Sequence, residues 1–384
     1  FTGPFTEFEA VQRSFSVWRN LPRSEIDFEF KGLTATPTED GNDDINTVFW
    51  RTTGFGSGVF ALTITTFDTF SGNILDSDIV FNDSGSFTWD TTAAAATSGT
   101  VGRTSIENIA VHEIGHFIGL DHTFTANGTM FPFTESGAIN LITTEEDDKA
   151  QINVSHPDPD ADPVNRATVR GNVSSAGTGR FGVNVSLIDI ETGVAVTSGI
   201  STRATTTAAV GDYEIRDVPP GNYWVVASRI FDANIGAYYS GAFTSFLPAA
   251  RGVTAGTTGA PTILRVKAGD TLTGIDVDVA NAAGAFEPNG DSATSTPITL
   301  GHALGARIES TTDEDWYSFG AANGEVVTIQ VHSDALGQEL NPELALIGPN
   351  GTTRLVTGEF GHAQFSQDAR DLDPDAFGLN GVDY

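Results

Sequence analysis

The chain has 384 residues, of which 50 are acidic and 19 are basic, giving a formal net charge of −31. So acidic a surface repels nucleic acid and anionic membranes, which excludes both as expected partners, and it suits a secreted protein that works in calcium or salt. Hydrophobic residues make up 39% of the chain, which argues against disorder, but no apolar run is long enough to span a bilayer. The length favours two or three domains, and the absence of cysteine excludes disulfides.

The chain begins at Phe1 and carries no signal peptide. We therefore expect that a signal peptide is missing from the sequence and that the mature protein is secreted. We also expect a monomer that does not insert into membranes.

Two acidic stretches near the N-terminus are candidates for binding calcium. Residues 39–44 form an oxygen-rich turn, and Asp76, Asp78 and Asp83 flank a predicted strand. Carboxylate oxygens are ligands that Ca²⁺ prefers, although neither stretch has the spacing of an EF-hand loop. Asp76 and Asp78 are therefore candidate ligands of a structural calcium ion.

A helix is predicted to begin at Thr104. Thr104 and Glu107 have the spacing of a capping box, with Thr104 as the N-cap residue. The apolar residues that follow with helical period are Ile106, Ile109, Ala110, Ile114 and Phe117. Gly119 ends the helix, because a residue without Cβ can adopt the left-handed conformation that reverses the chain.

The predicted helix leads into the run H-E-x-x-H-x-x-G-x-x-H at residues 112–122. His112 and His116 are four residues apart, so both imidazoles leave the same side of the helix at a separation that a tetrahedral zinc ion can bridge. The chain reversal at Gly119 brings His122 back as a third ligand. Three protein ligands leave a fourth position for water, which is typical of a catalytic zinc site.

Glu113 supplies the remaining group that hydrolysis needs. Zinc lowers the pKa of its bound water to about 7, so hydroxide is available at neutral pH. Glu113 takes the proton as general base and returns it to the leaving amine, while zinc polarises the scissile carbonyl. The alternative is a packed core helix that carries histidines by chance. The glycine, the third histidine and a downstream methionine, all in register, argue against that alternative.

The histidine motif followed by Met130, the only methionine, is the signature of metzincin zinc peptidases, and among these the chain resembles the matrixins. The resemblance covers residues 5–156. It also rests on four further stretches: a first helix at residues 10–18 running into a strand near Phe28, a strand at 72–82, a turn at 129–132 and the start of a closing helix at 144–151. Thr123 stands where matrixins usually have serine, and no tyrosine follows Met130 as it does in astacins and serralysins. Matrixins are therefore the nearest branch.

The resemblance implies an α+β catalytic domain, with a twisted mixed sheet and an active-site helix, that holds one catalytic zinc ion and acts on a protein or peptide substrate. It implies that Met130 forms a hydrophobic base beneath the imidazoles without binding the metal. It also implies that residues 132–133 form a wall of the S1′ pocket. Matrixins commonly hold structural calcium, which supports the candidates Asp76 and Asp78. No histidine precedes His112, so we expect the second, structural zinc site of animal matrixins to be absent.

A linker rich in proline and aspartate follows at residues 157–166, and we expect it to be extended and solvated. Residues 167–281 then predict a β-sandwich. Its alternating apolar residues include Val183, Val185 and Leu187, then Tyr213 with Ile215 and Tyr223 with Val225. We expect a hairpin-like corner at residues 218–222 and a last strand at 271–277. The region resembles carboxypeptidase regulatory-like domains, which are immunoglobulin-like modules, and a spacer is favoured over a ligand-binding role.

Residues 282–384 resemble the bacterial pre-peptidase C-terminal domain, a β-sandwich appended to secreted peptidases. The resemblance rests on an E-P-N motif at residues 287–289, a D-x-D-W-Y-x-F strand at 313–319 and a strand and turn at 346–351. Some relatives bind calcium and collagen through this domain. The oxygen ligands that could serve here are Glu287, Asn289, Asp291, Asp313 and Asp315. The alternative is a solvated acidic loop. The family's final strand would start where the chain stops, so we expect a truncated C-terminus.

Together these features predict a multidomain, secreted bacterial zinc endopeptidase, with a catalytic domain at residues 1–156 followed by two all-β sandwich domains. By analogy, the all-β domains suggest attachment to an extracellular matrix or a polysaccharide. The alternative is a matrix-binding or adhesion protein whose metal site is catalytically inactive. The intact Glu113 argues against this alternative, because inactive relatives can lose the base while they keep the metal ligands.

Overall fold

The computed structural model divides the chain into two compact units. One comprises Phe1–Thr123 with Asn127–Pro163, and the other Phe124–Ala126 with Val164–Tyr384. The residues described are 6–19, 21–39, 41, 43–91, 103–123, 128–132, 134, 139, 141–161, 165–190, 192, 194–230, 253–254, 256–257, 260–261, 263–279, 289–298, 312–322, 326–332, 344–358 and 362–368. Among these residues, no helix has both the length and the apolar character that crossing a bilayer requires.

The first unit combines helices with short strands. Its elements are α1 (Glu7–Arg19), β1 (Val48–Arg51), β2 (Ala61–Phe67), β3 (Ile74–Asn82), β4 (Trp89–Asp90), β5 (Thr104–Ser105), α2 (Ile106–Phe117) and α3 (Glu146–Ser155). Three strands form a mixed sheet in the order β1-β3-β2, in which β1 is parallel and β2 antiparallel to β3. The predicted first helix, the strand that ends at Asn82 and the closing helix are thereby confirmed.

Helix α2 is buried between α1 and the sheet. One apolar core joins the three elements and includes Trp18, Ala61, Ile79, Phe81, Ile109, Ile114 and Met130. The indole Nε1 of Trp18 donates a hydrogen bond to the carbonyl oxygen of Val111 at 2.8 Å, which fastens α1 to α2. This packing fixes the helix that carries the first two histidines.

The prediction that Thr104 caps α2 is wrong by one residue. Thr104 lies in β5, where it is opposite Trp89 and its amide donates to the carbonyl oxygen of Thr88 at 2.8 Å. The N-cap is Ser105, whose hydroxyl accepts a hydrogen bond from the amide of Asn108. Both residues of β5 pair with β4, and α2 begins directly after Ser105, so Ser105 is the residue placed to satisfy the helix N-terminus.

The predicted strand near Phe28 is not observed. Residues 21–30 contain only an isolated bridge, in which Ser24 is opposite Pro157. Phe28 packs its ring against Phe15 and Phe117, with ring centroids 4.8 Å and 6.4 Å away. Aromatic packing, and not ladder pairing, therefore holds this segment.

The first residues of the predicted linker are attached to the first unit. Pro157 pairs with Ser24, and the amide of Asp158 donates to the carbonyl oxygen of Arg23 at 3.0 Å. His156 Nε2 lies 2.9 Å from the carbonyl oxygen of Ile118, at the end of α2. Pro157 is exposed and Asp158 is half-buried, so these residues keep contact with solvent while they pair with residues 23–24. The boundary between the two units falls inside residues 157–166.

The second unit consists of strands in its described part. They are β6 (Ala167–Ser175), β7 (Thr178–Gly179), β8 (Val183–Asp189), β9 (Ala195–Ile200), β10 (Asp212–Val218), β11 (Gly221–Arg229), β12 (Val253–Thr254), β13 (Gly256–Thr257), β14 (Ala260–Pro261), β15 (Leu264–Val266), β16 (Thr271–Leu272), β17 (Val277–Asp278), β18 (Thr296–Pro297), β19 (Tyr317–Ser318), β20 (Val326–His332), β21 (Leu344–Ile347), β22 (Arg354–Gly358) and β23 (His362–Asp368).

Two five-stranded sheets account for β6 to β12 and β15 to β17. One has the order β10-β6-β16, with β7 and β17 also paired to β6, and the other has the order β12-β11-β8-β9, with β15 paired to β11. A single core draws on both sheets and includes Val169, Val185, Leu187, Ile215 and Val225, so the predicted alternation is confirmed. The hairpin-like corner is wrong, because β10 and β11 belong to different sheets and Pro219–Pro220 carry the chain between them.

Two other predicted strands are shorter than expected. Residues 271–277 contain β16 and β17, which both pair in parallel with β6, instead of one strand. Residues 313–319 contain only the two-residue strand β19. The strand and turn near residues 346–351 are confirmed by β21 and the turn after it. The further division of the second unit into two domains stays a prediction.

Candidate metal centre

Three imidazoles converge at the C-terminal end of α2. His112 and His116 leave α2 one turn apart, and Gly119 has φ +94°, the left-handed conformation that turns the chain toward His122. One ligand nitrogen from each ring lies within 4.8 Å of the other two. Among the described residues, this is the one group of three or more histidine or acidic side chains close enough to hold a metal ion.

Backbone carbonyls fix which nitrogen of two rings faces the cluster. His112 Nδ1 lies 2.8 Å from the carbonyl oxygen of Thr129, and His116 Nδ1 lies 2.8 Å from that of Leu120. A carbonyl can only accept, so Nδ1 carries the proton in both rings and Nε2 keeps its lone pair. His116 Nε2 and His122 Nε2 are 3.2 Å apart. Two nitrogens bound tetrahedrally to one zinc ion are separated by about 3.3 Å, so the spacing fits that metal.

Burial keeps the first two imidazoles uncharged. Burial lowers the pKa of His112 well below its usual value, and the neighbouring His116 adds to this effect. Burial also lowers the pKa of His116, against the opposing charge of Glu113. Neutral imidazole is the form that binds metal, so both lone pairs are available through the neutral pH range.

Glu113 lies beside the cluster with only 6% of its surface exposed. Burial raises the pKa of its carboxyl, while the charge of His116 and a hydrogen bond from Thr63 oppose the shift. Thr63, in β2, has its Oγ1 2.6 Å from Glu113 Oε2. A buried carboxylate with a raised pKa therefore lies next to the three clustered imidazoles, and its role as general base stays a prediction.

Met130 is buried in the core next to α2, and its predicted role as a hydrophobic base beneath the imidazoles stays a prediction. Its side chain is 2% exposed and belongs to the core that contains Trp18 and Ile114. A Cβ built on Gly115 would overlap Met130 Sδ and approach Trp18 Cζ2 to 3.0 Å. The absence of a side chain at Gly115, between the two helical histidines, therefore leaves space for the side chain of Met130.

We expect Gly115→Ala to lower the free energy of unfolding by about 1–3 kcal/mol, because the added methyl group overpacks the core. Alanine favours the helix over glycine by about 1 kcal/mol, so a net loss of stability must come from the overlap with Met130. The measurement is urea unfolding of both proteins. Gly56→Ala is the matched control, since a Cβ there meets only Val59 Cγ2 at 3.5 Å. An unchanged or higher stability of Gly115→Ala would contradict the packing described.

The turn that contains Met130 is held by Asp148, a residue that the sequence interpretation did not single out. Asp148 Oδ2 accepts hydrogen bonds from the amides of Thr129 at 3.0 Å and Glu145 at 2.8 Å, and Oδ1 accepts from the amide of Met130 at 3.1 Å. Burial raises the pKa of Asp148 to about 6, with the charge of Asp147 adding to the shift. Asp148 therefore links the start of α3 to the turn that contains Met130.

Thr123, which directly follows the third histidine, donates a hydrogen bond to Asp147. The adjacent acidic pair at the start of α3 thus supports both sides of the site: Asp147 contacts the segment after His122, and Asp148 contacts the methionine turn. Of the predicted pocket wall, Pro132 is half-buried, and Phe133 lies outside the described residues.

The calcium candidates Asp76 and Asp78 in the first unit are buried acidic residues. Asp76 and Asp78 are 1% and 0% exposed, and Asp76 Oδ1 and Asp78 Oδ2 are buried without a hydrogen-bond partner among the described residues. The other Asp78 oxygen accepts from the amide and hydroxyl of Thr47 at 2.8 and 2.7 Å. Burial raises the pKa of Asp78, and the charges of Asp76 and Asp43 add to this effect. Two unpaired carboxylate oxygens fit the hard oxygen ligands that a calcium ion needs.

The candidates in the second unit do not gather in the described residues. Asp291 Oδ1 accepts from the amides of Ala293 and Thr294 within its own turn. Asp315 accepts from the hydroxyl of Tyr317, and Asn289 is fully buried. Asp313 is half-buried, and Glu287 lies outside the described residues. No group of three ligands forms among the acidic residues that are described, so calcium binding here stays a prediction.

Comparison with known families agrees with the geometry. Residues 5–156 match the matrixin family of M10 peptidases. This part of the chain is therefore a matrixin-like metallopeptidase domain, a hydrolase of a zinc-dependent family that acts on proteins or peptides, and the three histidines fit its zinc site. The predicted resemblance is confirmed over these residues. A comparison with curated proteins found no match.

Proposed function

We propose that the protein is a secreted zinc endopeptidase in which His112, His116 and His122 bind one catalytic zinc ion and Glu113 is the general base. One observation carries the proposal: Nε2 lone pairs, set by carbonyl contacts at the opposite ring nitrogens of His112 and His116, converge beside a buried carboxylate. A structural site has no need of a base at that position.

The chain's own residues define the chemistry. When bound, zinc supplies a Lewis acid that polarises the scissile carbonyl and makes water nucleophilic near neutral pH. Glu113 accepts the proton of the attacking water at its carboxylate and then delivers it to the nitrogen of the leaving amine. Met130 and the buried core of α2 exclude water from beneath the imidazoles. No side chain forms a covalent bond to the substrate.

The function is tested by incubating the purified protein with a peptide library, with and without a chelator. We expect cleavage that the chelator abolishes and added zinc restores, with a preference at the residue after the scissile bond. A protein that binds zinc but cleaves no peptide would favour the alternative of a matrix-binding or adhesion protein with an inactive metal site.

We further propose that Asp76 and Asp78 bind a structural calcium ion. The support is the pair of buried oxygens that have no hydrogen-bond partner among the described residues, together with the raised pKa of Asp78, which burial causes and the repulsion from Asp76 and Asp43 increases. A cation between the two carboxylates would remove that repulsion, which explains why the acidic residues are tolerated in the interior.

Calcium should therefore raise the melting temperature of the wild-type protein but not that of Asp78→Asn. Asparagine keeps an oxygen for Thr47 and replaces the unpaired oxygen by an amide, so the variant loses the site without a change of volume. Thermal unfolding at several calcium concentrations measures both proteins, and in Asp68→Asn, whose carboxylate accepts hydrogen bonds from the amides of Phe70 and Ser71 in its own turn, calcium should act as in the wild type. An equal calcium shift in wild type and Asp78→Asn would contradict the proposed site.

Two further proposals concern the secretion of the protein and its attachment to a matrix. Matrixins are typically extracellular, and the strongly acidic composition suits a salt-containing medium. The described residues of the second unit include no group of three or more histidine or acidic side chains close enough to hold a metal ion. We propose that this unit serves as a spacer or attaches the enzyme to a matrix or polysaccharide, and that the protein acts as a monomer.

A further inference from the structure

The carboxylate of Glu113 receives a hydrogen bond from a residue of the three-stranded sheet. Thr63 lies in β2, at one edge of the three-stranded sheet, opposite Ile79 of β3. Its Oγ1 lies 2.6 Å from Glu113 Oε2 and 3.0 Å from the carbonyl oxygen of Glu113. In the described part of the chain, this is the only hydrogen bond made to the Glu113 carboxylate.

The hydroxyl of Thr63 has one proton and two acceptors in reach. The carboxylate oxygen is nearer and carries charge, so it takes the proton in preference to the carbonyl oxygen. The Thr63 hydroxyl lies close to both the carboxylate and the backbone carbonyl oxygen of Glu113, so it fixes the position of the carboxylate relative to α2. One carboxylate oxygen is thereby engaged, and the other is left for the proton that the base must remove.

We propose that Thr63 is a positioning residue, whose hydroxyl holds the Glu113 carboxylate in the orientation that proton transfer requires. The proposal rests on the proposed function, since it assigns a role toward the general base of that reaction. Glutamate has three side-chain torsions and loses much rotamer freedom when it is fixed. A base must be held within about 0.5 Å of its productive position, and a small misplacement costs a large part of the rate.

Substitutions in β2 can test the role of the Thr63 hydroxyl separately from its contribution to packing. Valine has the shape of threonine and is equally suited to a strand, so Thr63→Val removes the hydroxyl and keeps the packing. Thr65 lies two residues further along the same face of β2, with its hydroxyl 3.0 Å from Ser77 Oγ. Thr65→Val therefore removes a similar hydroxyl from the same strand without touching Glu113.

We expect Thr63→Val to lower kcat about ten- to hundredfold, the effect of losing a hydrogen bond to a charged group, with KM changed less than about twofold. Thr63→Ser, which keeps the hydroxyl, should retain most of the rate, and Thr65→Val should match the wild type. An unchanged kcat in Thr63→Val, an equal fall in Thr65→Val or a failure of serine to restore the rate would each overturn the proposal.

Crystal structures of the zinc-loaded wild type, Thr63→Val and Thr63→Ser give a second readout that needs no activity. The Glu113 carboxylate should take a single orientation in the wild type and in Thr63→Ser, and should shift or split into alternative orientations in Thr63→Val. A single, unchanged orientation in Thr63→Val would refute the positioning role. If the wild type bound zinc but cleaved nothing, the proposed function would fail, and these structures would still decide whether Thr63 orients Glu113.

Discussion

Replacement of Glu113 by glutamine is expected to reduce peptide hydrolysis by about 10²–10⁴-fold, the usual contribution of a general base. Glutamine has the volume of glutamate and can still accept a hydrogen bond from Thr63, but it cannot take a proton from water. The zinc content should be unchanged, because the three ligand nitrogens belong to other residues. The measurement is kcat/KM on the best library peptide, together with metal analysis of the same sample.

Glu107→Gln is a suitable control for this experiment. Glu107 lies in the first turn of the same helix and pairs with Arg13, so it shares the helix but not the metal cluster. Its substitution should leave kcat/KM within a fewfold of the wild type. Equal activities of wild type and Glu113→Gln would remove Glu113 from the mechanism.

The second large effect is expected at Asp148, whose loss should destabilise the fold. Asp148→Ala leaves the amides of Thr129, Met130 and Glu145 without their acceptor. A buried donor without a partner costs about 1–3 kcal/mol, so the total at pH 5 should reach about 3–5 kcal/mol after partial relaxation. Because the same amides hold the methionine turn, zinc affinity should fall as well.

The effect of Asp148→Ala should depend on pH with a definite sign. Burial raises the pKa of Asp148 to about 6, so the folded protein holds a proton there that the unfolded chain has already lost. The stabilisation that Asp148 provides is therefore full below about pH 4 and is lost as the pH rises to about 6, by up to about 3 kcal/mol in total, of which roughly half falls above pH 5. Denaturant unfolding at pH 5 and pH 8 should give a smaller difference between wild type and Asp148→Ala at pH 8.

Glu146→Ala is the control for this comparison, since Glu146 lies in the first turn of the same helix and makes a partly exposed pair with Lys149. Its effect should stay below about 1 kcal/mol at both pH values. A difference between wild type and Asp148→Ala that grew with pH would contradict the pKa shift and its cause.

The clustering of the three histidines could be predicted from the sequence, because their spacing follows from helix geometry alone. His112 and His116 share one face of any helix, and Gly119 marks its end, so no long-range information is needed. Thr63 could not be predicted. Its contact with Glu113 depends on the register of β2 against β3 and on how α2 packs on the sheet, which local periodicity does not determine.

Other differences between prediction and structure also depend on contacts between segments that are distant in the sequence. Thr104 and Ser105 are both good N-cap residues, and the choice between them depends on the pairing of β5 with β4. Asp148 was recognised only as part of a helix start. Acidic residues are common in the first turn of a helix because they interact favourably with the helix dipole. Nothing in the local sequence shows that the Asp148 carboxylate is buried against the distant turn that contains Met130. The corner at Pro219–Pro220 reads as a hairpin, because alternation predicts strands but not which sheet each strand joins.

The most direct test of the account is the metal content of the purified protein, measured by mass spectrometry on the sample that is assayed for peptide cleavage. We predict about one zinc ion per chain, the number that three histidine ligands and one open position define, with cleavage lost on chelation and restored by added zinc. His116→Ala should contain little zinc and cleave nothing. Well-folded wild-type protein that neither contains zinc nor takes it up would contradict the assignment of the three histidines as a metal centre.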